Sequence, residues 1–83
     1  MELACSIARD DGNAFRARTE RIGLNTLVLQ SDTRPRFGEQ LSVHLAAMEL
    51  RATVRWITSQ GFGVQLLGLR PRELRTLRRL VTE

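Results

Sequence analysis

The chain has 83 residues, 42% of them apolar, and thirteen basic side chains against nine acidic ones, for a net charge of +4. This length gives one domain, residues 1–83, with a modest core, and the apolar share excludes a disordered chain. No apolar run reaches a membrane span, Met1-Glu2-Leu3-Ala4 lacks the basic flank of a secretion signal, and the single Cys5 cannot form an internal disulfide, so the expected place is the cytoplasm, without membrane insertion.

Leu3, Cys5 and Ile7 alternate with Ala4, Ser6 and Ala8, the pattern of a half-buried strand. Asp10-Asp11-Gly12-Asn13 supplies residues that tolerate positive φ, so a hairpin follows. The return strand covers 14–22, with Phe15, Ala17 and Thr19 inward and Arg16, Arg18 and Glu20 outward. Gly23-Leu24-Asn25-Thr26 interrupts it, and Leu27-Val28-Leu29 then reads as a short strand buried on both faces. Ser31 to Gly38 is a loop fixed by Pro35. Leu41, Val43 and Leu45 mark the next strand. Ala46-Ala47-Met48-Glu49 admits two readings, a connection or a tight turn between strands. Leu50, Ala52, Val54 and Trp56 share one face, which makes Trp56 a core residue. Gly61 breaks the run, and the alternation resumes to Leu67, so a late hairpin follows. Pro71 suits the first turn of a helix, and Leu74, Leu77, Leu80 and Val81 recur at helical spacing. Six short strands and a final helix predict a mainly β fold, a small antiparallel barrel capped by a C-terminal helix.

All thirteen basic residues are arginines. Residues 70–83 hold five of them against Glu73 and Glu83, so the helix carries most of the net charge. Arg72, Arg75, Arg78 and Arg79 fall largely off its apolar stripe and are the candidate partner-binding residues. On the sheet, Arg16, Arg18 and Arg21 are the candidate ligand-binding residues, since guanidinium both stacks and forms forked hydrogen bonds. Catalysis is not expected. The only histidine, His44, has no acid to orient it and no second metal ligand beside it, and Cys5 reads as a small core residue. No metal site is predicted.

Taken together, the late hairpin Val54-Arg55-Trp56 and Gly61 to Leu67, the strand Leu27-Val28-Leu29, the loop Pro35 to Leu45 with Phe37-Gly38 at its turn, and the helix Pro71 to Val81 resemble a PilZ domain. That family is a six-stranded barrel with a terminal helix, and it usually receives cyclic diguanylate. The resemblance implies two ligand motifs. One is an Arg-x-x-x-Arg segment ahead of the first strand, whose arginines wrap the ligand. The other runs Asp or Asn, any residue, Ser, two residues, Gly, and its acid or amide reads the guanine edge. At the second motif this chain has Arg21, Gly23 and Thr26. The first motif has no room before Leu3, and the pairs with its spacing, Arg51/Arg55 and Arg75/Arg79, stand elsewhere. An arginine side chain has no acceptor for guanine N–H groups.

The resemblance therefore implies a non-catalytic binding module of cyclic diguanylate signalling, serving motility, pilus or surface behaviour through a protein partner, with a degenerate nucleotide site and no bound cofactor. A receptor that still grips cyclic diguanylate through a rearranged set, Arg16, Arg18 and Arg21, is the alternative. Nucleic-acid binding, suggested by a sequence pI of about 11.3, ranks last, because tyrosine is absent and the few other aromatics are scattered. Val28, Ile57 and Leu67 fall out of step with a single interior, so a homodimer is also expected.

Overall fold

Alternating side chains give each strand one apolar face, and the way to enclose six such faces without leaving an edge is to close the sheet. The computed structural model describes residues 3–82, apart from the side chains of Val81 and Thr82. It shows β1 (Ala4–Arg9), β2 (Ala14–Ile22), β3 (Thr26–Gln30), β4 (Gln40–Leu45), β5 (Met48–Ile57), β6 (Gly61–Leu67) and a helix, α1 (Pro71–Thr82). All neighbouring strands are antiparallel, in the order β1-β2-β3-β6-β5-β4, and β1 pairs with β4 to close the barrel. The predicted barrel and terminal helix are both present. Val81, part of the predicted helical stripe, lies outside the described side chains.

The interior is an aliphatic column around Ile7, Leu27, Leu29, Leu41, Val43 and Val54, with Phe62 as its one fully enclosed aromatic. Cys5 belongs to this core, as expected, and burial raises its thiol pKa to about 11, which keeps it an unreactive thiol. Thr19 is polar and fully buried. Its hydroxyl accepts the Leu3 N–H at 2.8 Å, so its inward oxygen is satisfied.

Two bulges re-aim the outer face. In β2, Thr19 pairs with Leu29 and Arg21 with Val28, so Glu20 is an extra residue. That single insertion turns Arg21 outward although its position is odd where Arg16 and Arg18 are even. In β5, Val54 pairs with Val64 and Trp56 with Gly63, so Arg55 is the extra residue. Trp56 is thereby expelled from the core position that its alternation predicts, and it stands 38% exposed on the outside. Its indole covers Gly63, where an added Cβ would lie 1.9 Å from the ring. Val28 also differs from expectation. Leu27 and Leu29 are fully enclosed, but Val28 pairs with Gly63 on the outer face and is half-buried. The strand is covered on one face only.

The segment 46–49 resolves to the tight turn. Leu45 pairs with Met48, leaving a two-residue loop in which Ala46 and Ala47 take φ of 50° and 64°. Both positions suit Asn-Gly, because a Cβ crowds the backbone there. The helix begins at Pro71 and lies over the barrel end where β2 finishes and β4 turns into β5. Glu73 reaches back to accept the Arg70 N–H at 2.9 Å, half of a capping box. Leu77 is fully buried and Leu80 packs against the core, but Leu74 faces outward, so two described leucines of the predicted stripe of three plug the end.

Because the two alanines are strained, Ala46→Asn with Ala47→Gly is expected to stabilise the fold by about 1–2 kcal/mol. A thermal melt should rise by roughly 4–8 °C per kcal/mol for a domain of this size. An unchanged or lower midpoint would contradict the strained-turn assignment.

Candidate functional site

Outward side chains of β2 and the loop after β3 build the clearest concavity. A groove of about 700 Å³ is lined by Arg16 and Arg18 from β2, Gln30 from β3, Ser31, Asp32 and Arg34 from the loop, and Ser59 and Gln60 from the β5–β6 turn. Ala4 and Ala17 complete its floor. The loop is pinned rather than draped. The Ser31 N–H donates to the Gln60 carbonyl at 3.0 Å, and the Ser31 hydroxyl donates to the Arg16 carbonyl at 3.3 Å while accepting the Thr33 N–H at 3.0 Å. The Arg34 guanidinium donates to the Ser59 carbonyl. Buried Pro35 anchors the segment behind them. Among the described residues the lining holds three guanidinium groups and one carboxylate, Asp32.

Of the sheet arginines singled out from sequence, Arg16 and Arg18 therefore meet, and Arg21 does not join them. It sits beyond the Glu20 bulge, opposite Val28, outside the groove lining. Arg34 takes the third place. Nothing in the local pattern marked it, since its position depends on the tether to Ser59 across the barrel end. Arg51 and Arg55 are engaged on the outer face, Arg51 with Ser42 at 2.9 Å and Asp10 at 3.6 Å, and Arg55 with Gln65 at 2.9 Å. Arg72, Arg75, Arg78 and Arg79 are all exposed along α1 and form a separate basic surface. His44 is exposed, 4.0 Å from Glu49. Among the described residues no group of three His, Cys, Asp or Glu side chains is placed to hold a metal, and no helix is long and apolar enough to cross a membrane.

A second concavity, beside Arg9, Asp10, Asp11, Arg36, Phe37 and Glu39, is built around an ion pair. Arg9 grips Glu39 through two hydrogen bonds of 2.7 and 3.0 Å, and Glu39 also accepts the Arg36 N–H at 3.0 Å. These bonds fasten the end of β1 to the loop that enters β4.

The β2–β3 turn is the remaining place of interest. The Gly23 N–H donates to the Thr26 carbonyl at 2.8 Å, and the Asn25 carbonyl accepts the Leu66 N–H at 2.7 Å. A Cβ built on Gly23 would lie 2.7 Å from the Thr26 hydroxyl oxygen. Any larger residue at 23 therefore requires Thr26 to rotate. A family model described as PilZ domain matches residues 1–83, the entire chain. The chain belongs to the PilZ family. A search of curated proteins gives no match. PilZ domains are non-catalytic binding modules that typically bind cyclic diguanylate and partner proteins, which places this chain in that signalling context. In this PilZ domain the β2–β3 turn is packed around the absence of a side chain at Gly23.

The Arg9–Glu39 pair has a pH signature. Hydrogen bonding to Arg9 holds the Glu39 carboxyl below its usual 4.5, against the opposing effect of partial burial. The folded value lies below the unfolded one, so the pair stabilises above about pH 4.5 and loses this as pH falls toward the folded value. Glu39→Gln is expected to show a shallower fall in melting temperature between neutral and acid pH than the wild type. The same acid loss in both proteins would show that the pair contributes nothing.

Proposed function

We propose that this PilZ domain is a protein–protein adaptor in cyclic diguanylate signalling whose own nucleotide site is degenerate. The observation that carries this is the outward Arg21 at the position where the family has an acid or amide. A guanidinium donates five N–H groups and accepts none, so it repels the donor edge of guanine that a carboxylate would read. The turn supports the same reading, because Gly23 offers no hydroxyl and a serine there would displace Thr26. Partner contact is supported by exposed apolar side chains, Trp56, Ile57 and Phe37, the last of them 70% exposed. The helix arginines Arg72, Arg75, Arg78 and Arg79 offer a second, electrostatic surface for a protein partner. The cytoplasm is the compartment in which this adaptor would act, in motility, pilus or surface behaviour.

The test is titration calorimetry with cyclic diguanylate. The expected result is no binding stronger than the high micromolar range, about −5 kcal/mol. Micromolar or tighter binding would overturn the degenerate site. It would favour a receptor in which Arg16 and Arg18 act with Arg34, since the groove joins those three and leaves Arg21 aside.

We further propose that a second copy of the chain is one partner. Ile57 and Leu67 are about two-fifths exposed and Val28 is only half-covered, so the barrel exterior keeps apolar area that water hydrates poorly. Light scattering at tens of micromolar, an order of magnitude suited to weak dimers, should give about twice the 9.4 kDa chain mass. A mass of 9.4 kDa would overturn the dimer.

A further inference from the structure

We propose that the loop end of the barrel, where Phe37, Trp56 and Ile57 are exposed, is the docking surface for an acidic amphipathic helix of a partner protein. The inference rests on the adaptor reading for the existence of a partner, and names the secondary structure and charge by which that partner is received.

Four observations carry it. First, three exposed large apolar side chains stand at one end of the barrel. Phe37 is in the loop that enters β4, and Trp56 and Ile57 close β5 beside it. The Gly38 N–H donates to the Val54 carbonyl at 2.8 Å, so the Cα atoms of Phe37 and Trp56 lie within roughly 12 Å of each other. Second, the Phe37 turn is held before any partner arrives. Gly38 takes a φ of 83°, and the Glu39 N–H donates to the Arg36 carbonyl at 3.0 Å. The Glu39 carboxylate accepts the Arg36 N–H while Arg9 grips it. A ring that is 70% exposed gains little from the core, and its fixed backbone lowers the entropy lost when a partner covers it. Third, the charges flanking these side chains are cationic. Arg36 precedes Phe37, Arg55 precedes Trp56, and Arg34 is tethered to the Ser59 carbonyl, two residues beyond Ile57. The ion pairs among the described residues include none of these three. Of the carboxylates at this end, Glu39 is paired with Arg9 and Asp10 with Arg51, Asp11 accepts two hydrogen bonds from Asn13, and Asp32 lines the neighbouring groove. An apolar centre bordered by guanidinium groups matches an apolar stripe bordered by Asp or Glu, and it repels a second copy of itself. Fourth, the barrel is closed, so no strand edge is free to hydrogen-bond a partner's backbone. A segment docked here must satisfy its own peptide groups, which a helix does, and helical residues i and i+7 repeat at about 10 Å, on the scale of this surface.

The experiment is fluorescence anisotropy at low salt with two fluorescein-labelled peptides of about 18 residues, roughly five helical turns, both of the same Glu, Leu and Ala composition. One places its leucines on a single helical stripe between glutamates; the other spreads the same leucines around the helix. The striped peptide is expected to bind several-fold more tightly. Phe37→Ser with Ile57→Ser should weaken it at least about tenfold, as expected for removing two apolar anchors from a contact. Arg36→Glu with Arg55→Glu should weaken it by a similar factor. Arg72→Glu with Arg75→Glu, the same charge change on α1, should alter it less than about twofold. Should the double serine variant fail to melt cooperatively, Phe37→Ser alone replaces it, with a loss of at least about threefold expected. Equal affinity for the two peptides, or unchanged binding by the serine variant, would overturn the proposal. An equal loss from the α1 variant would reduce the effect to net charge and overturn it too. If light scattering shows a dimer that the serine variant turns into a monomer, a second copy occupies this surface and the acidic helix is overturned as its occupant. The adaptor reading is tested separately by the calorimetry with cyclic diguanylate, so absence of peptide binding would overturn the docking surface alone.

Discussion

Pairing of β1 with β4 is the constraint from which the rest of the molecule follows. Once Ser6, Ile7, Ala8 and Arg9 take His44, Val43, Ser42 and Leu41 as partners, no strand edge is left and one interior must be filled. Six strands enclose a narrow column, so each buries one to three aliphatic side chains and presents its other face outward. That column is open at two ends. Leu77 of α1 closes one of them, with Leu80, Leu3 and Ile22 around it. The loop 31–39 covers the other, held by hydrogen bonds from Gly38 to Val54 and from Val54 to Glu39. The groove of arginines exists because that second closure is made by a loop and not by a helix. A loop can carry charged side chains up to the rim while its backbone is pinned to neighbouring turns.

A small closed barrel must also curve sharply, and the bulges in β2 and β5 together with two close-packed glycines of β6 meet that demand. Gly61 lets β6 approach β3 so closely that a Cβ would meet the Leu29 carbonyl oxygen at 1.9 Å. Gly63 leaves a bare patch that Trp56 covers from outside. The Arg55 bulge and Gly63 are complementary, since the extra residue throws the indole outward and the missing side chain receives it. Trp56 is thus both a packing residue and part of the exposed apolar surface.

Much of this was legible in the sequence, and the failures have physical causes. Alternation located five of the strands, the inward set Phe15, Ala17 and Thr19, and the buried Cys5, because side-chain parity is the direct signature of a half-buried strand, while the apolar run Leu27-Val28-Leu29 marked the remaining strand, β3. The turn chemistry of Asp10 to Asn13 showed the first hairpin. Trp56 was misplaced because a bulge inserts one residue without disturbing the apolar pattern around it. Only Gly63, a strand glycine with nothing of its own to pack, hinted that a side chain from β5 had to lie over it. The Ala46-Ala47 turn left two readings open because alanine is a poor turn residue and the φ values it adopts there come from the barrel's demand for a short connection. At the site, Arg16 and Arg18 followed from parity. Arg34 did not, because loop residues have no period, and its place is fixed by a carbonyl twenty-five residues away in sequence.

Arg21, Gly23 and Thr26 all stand where the fold tolerates variation. Arg21 points outward from a bulge, Gly23 lies in a turn, and Thr26 is half-buried at the start of β3, so none belongs to the enclosed aliphatic column. Residues of the column are fixed by packing, where a change of one methylene is felt. Outward residues answer only to their ligand. A chain can therefore exchange an acid for an arginine at position 21 without disturbing the barrel, and the recognition surface changes while the scaffold does not. Arginine at position 21 thus stands on the outer face of β2, where its charge leaves the packing of the enclosed column unaltered.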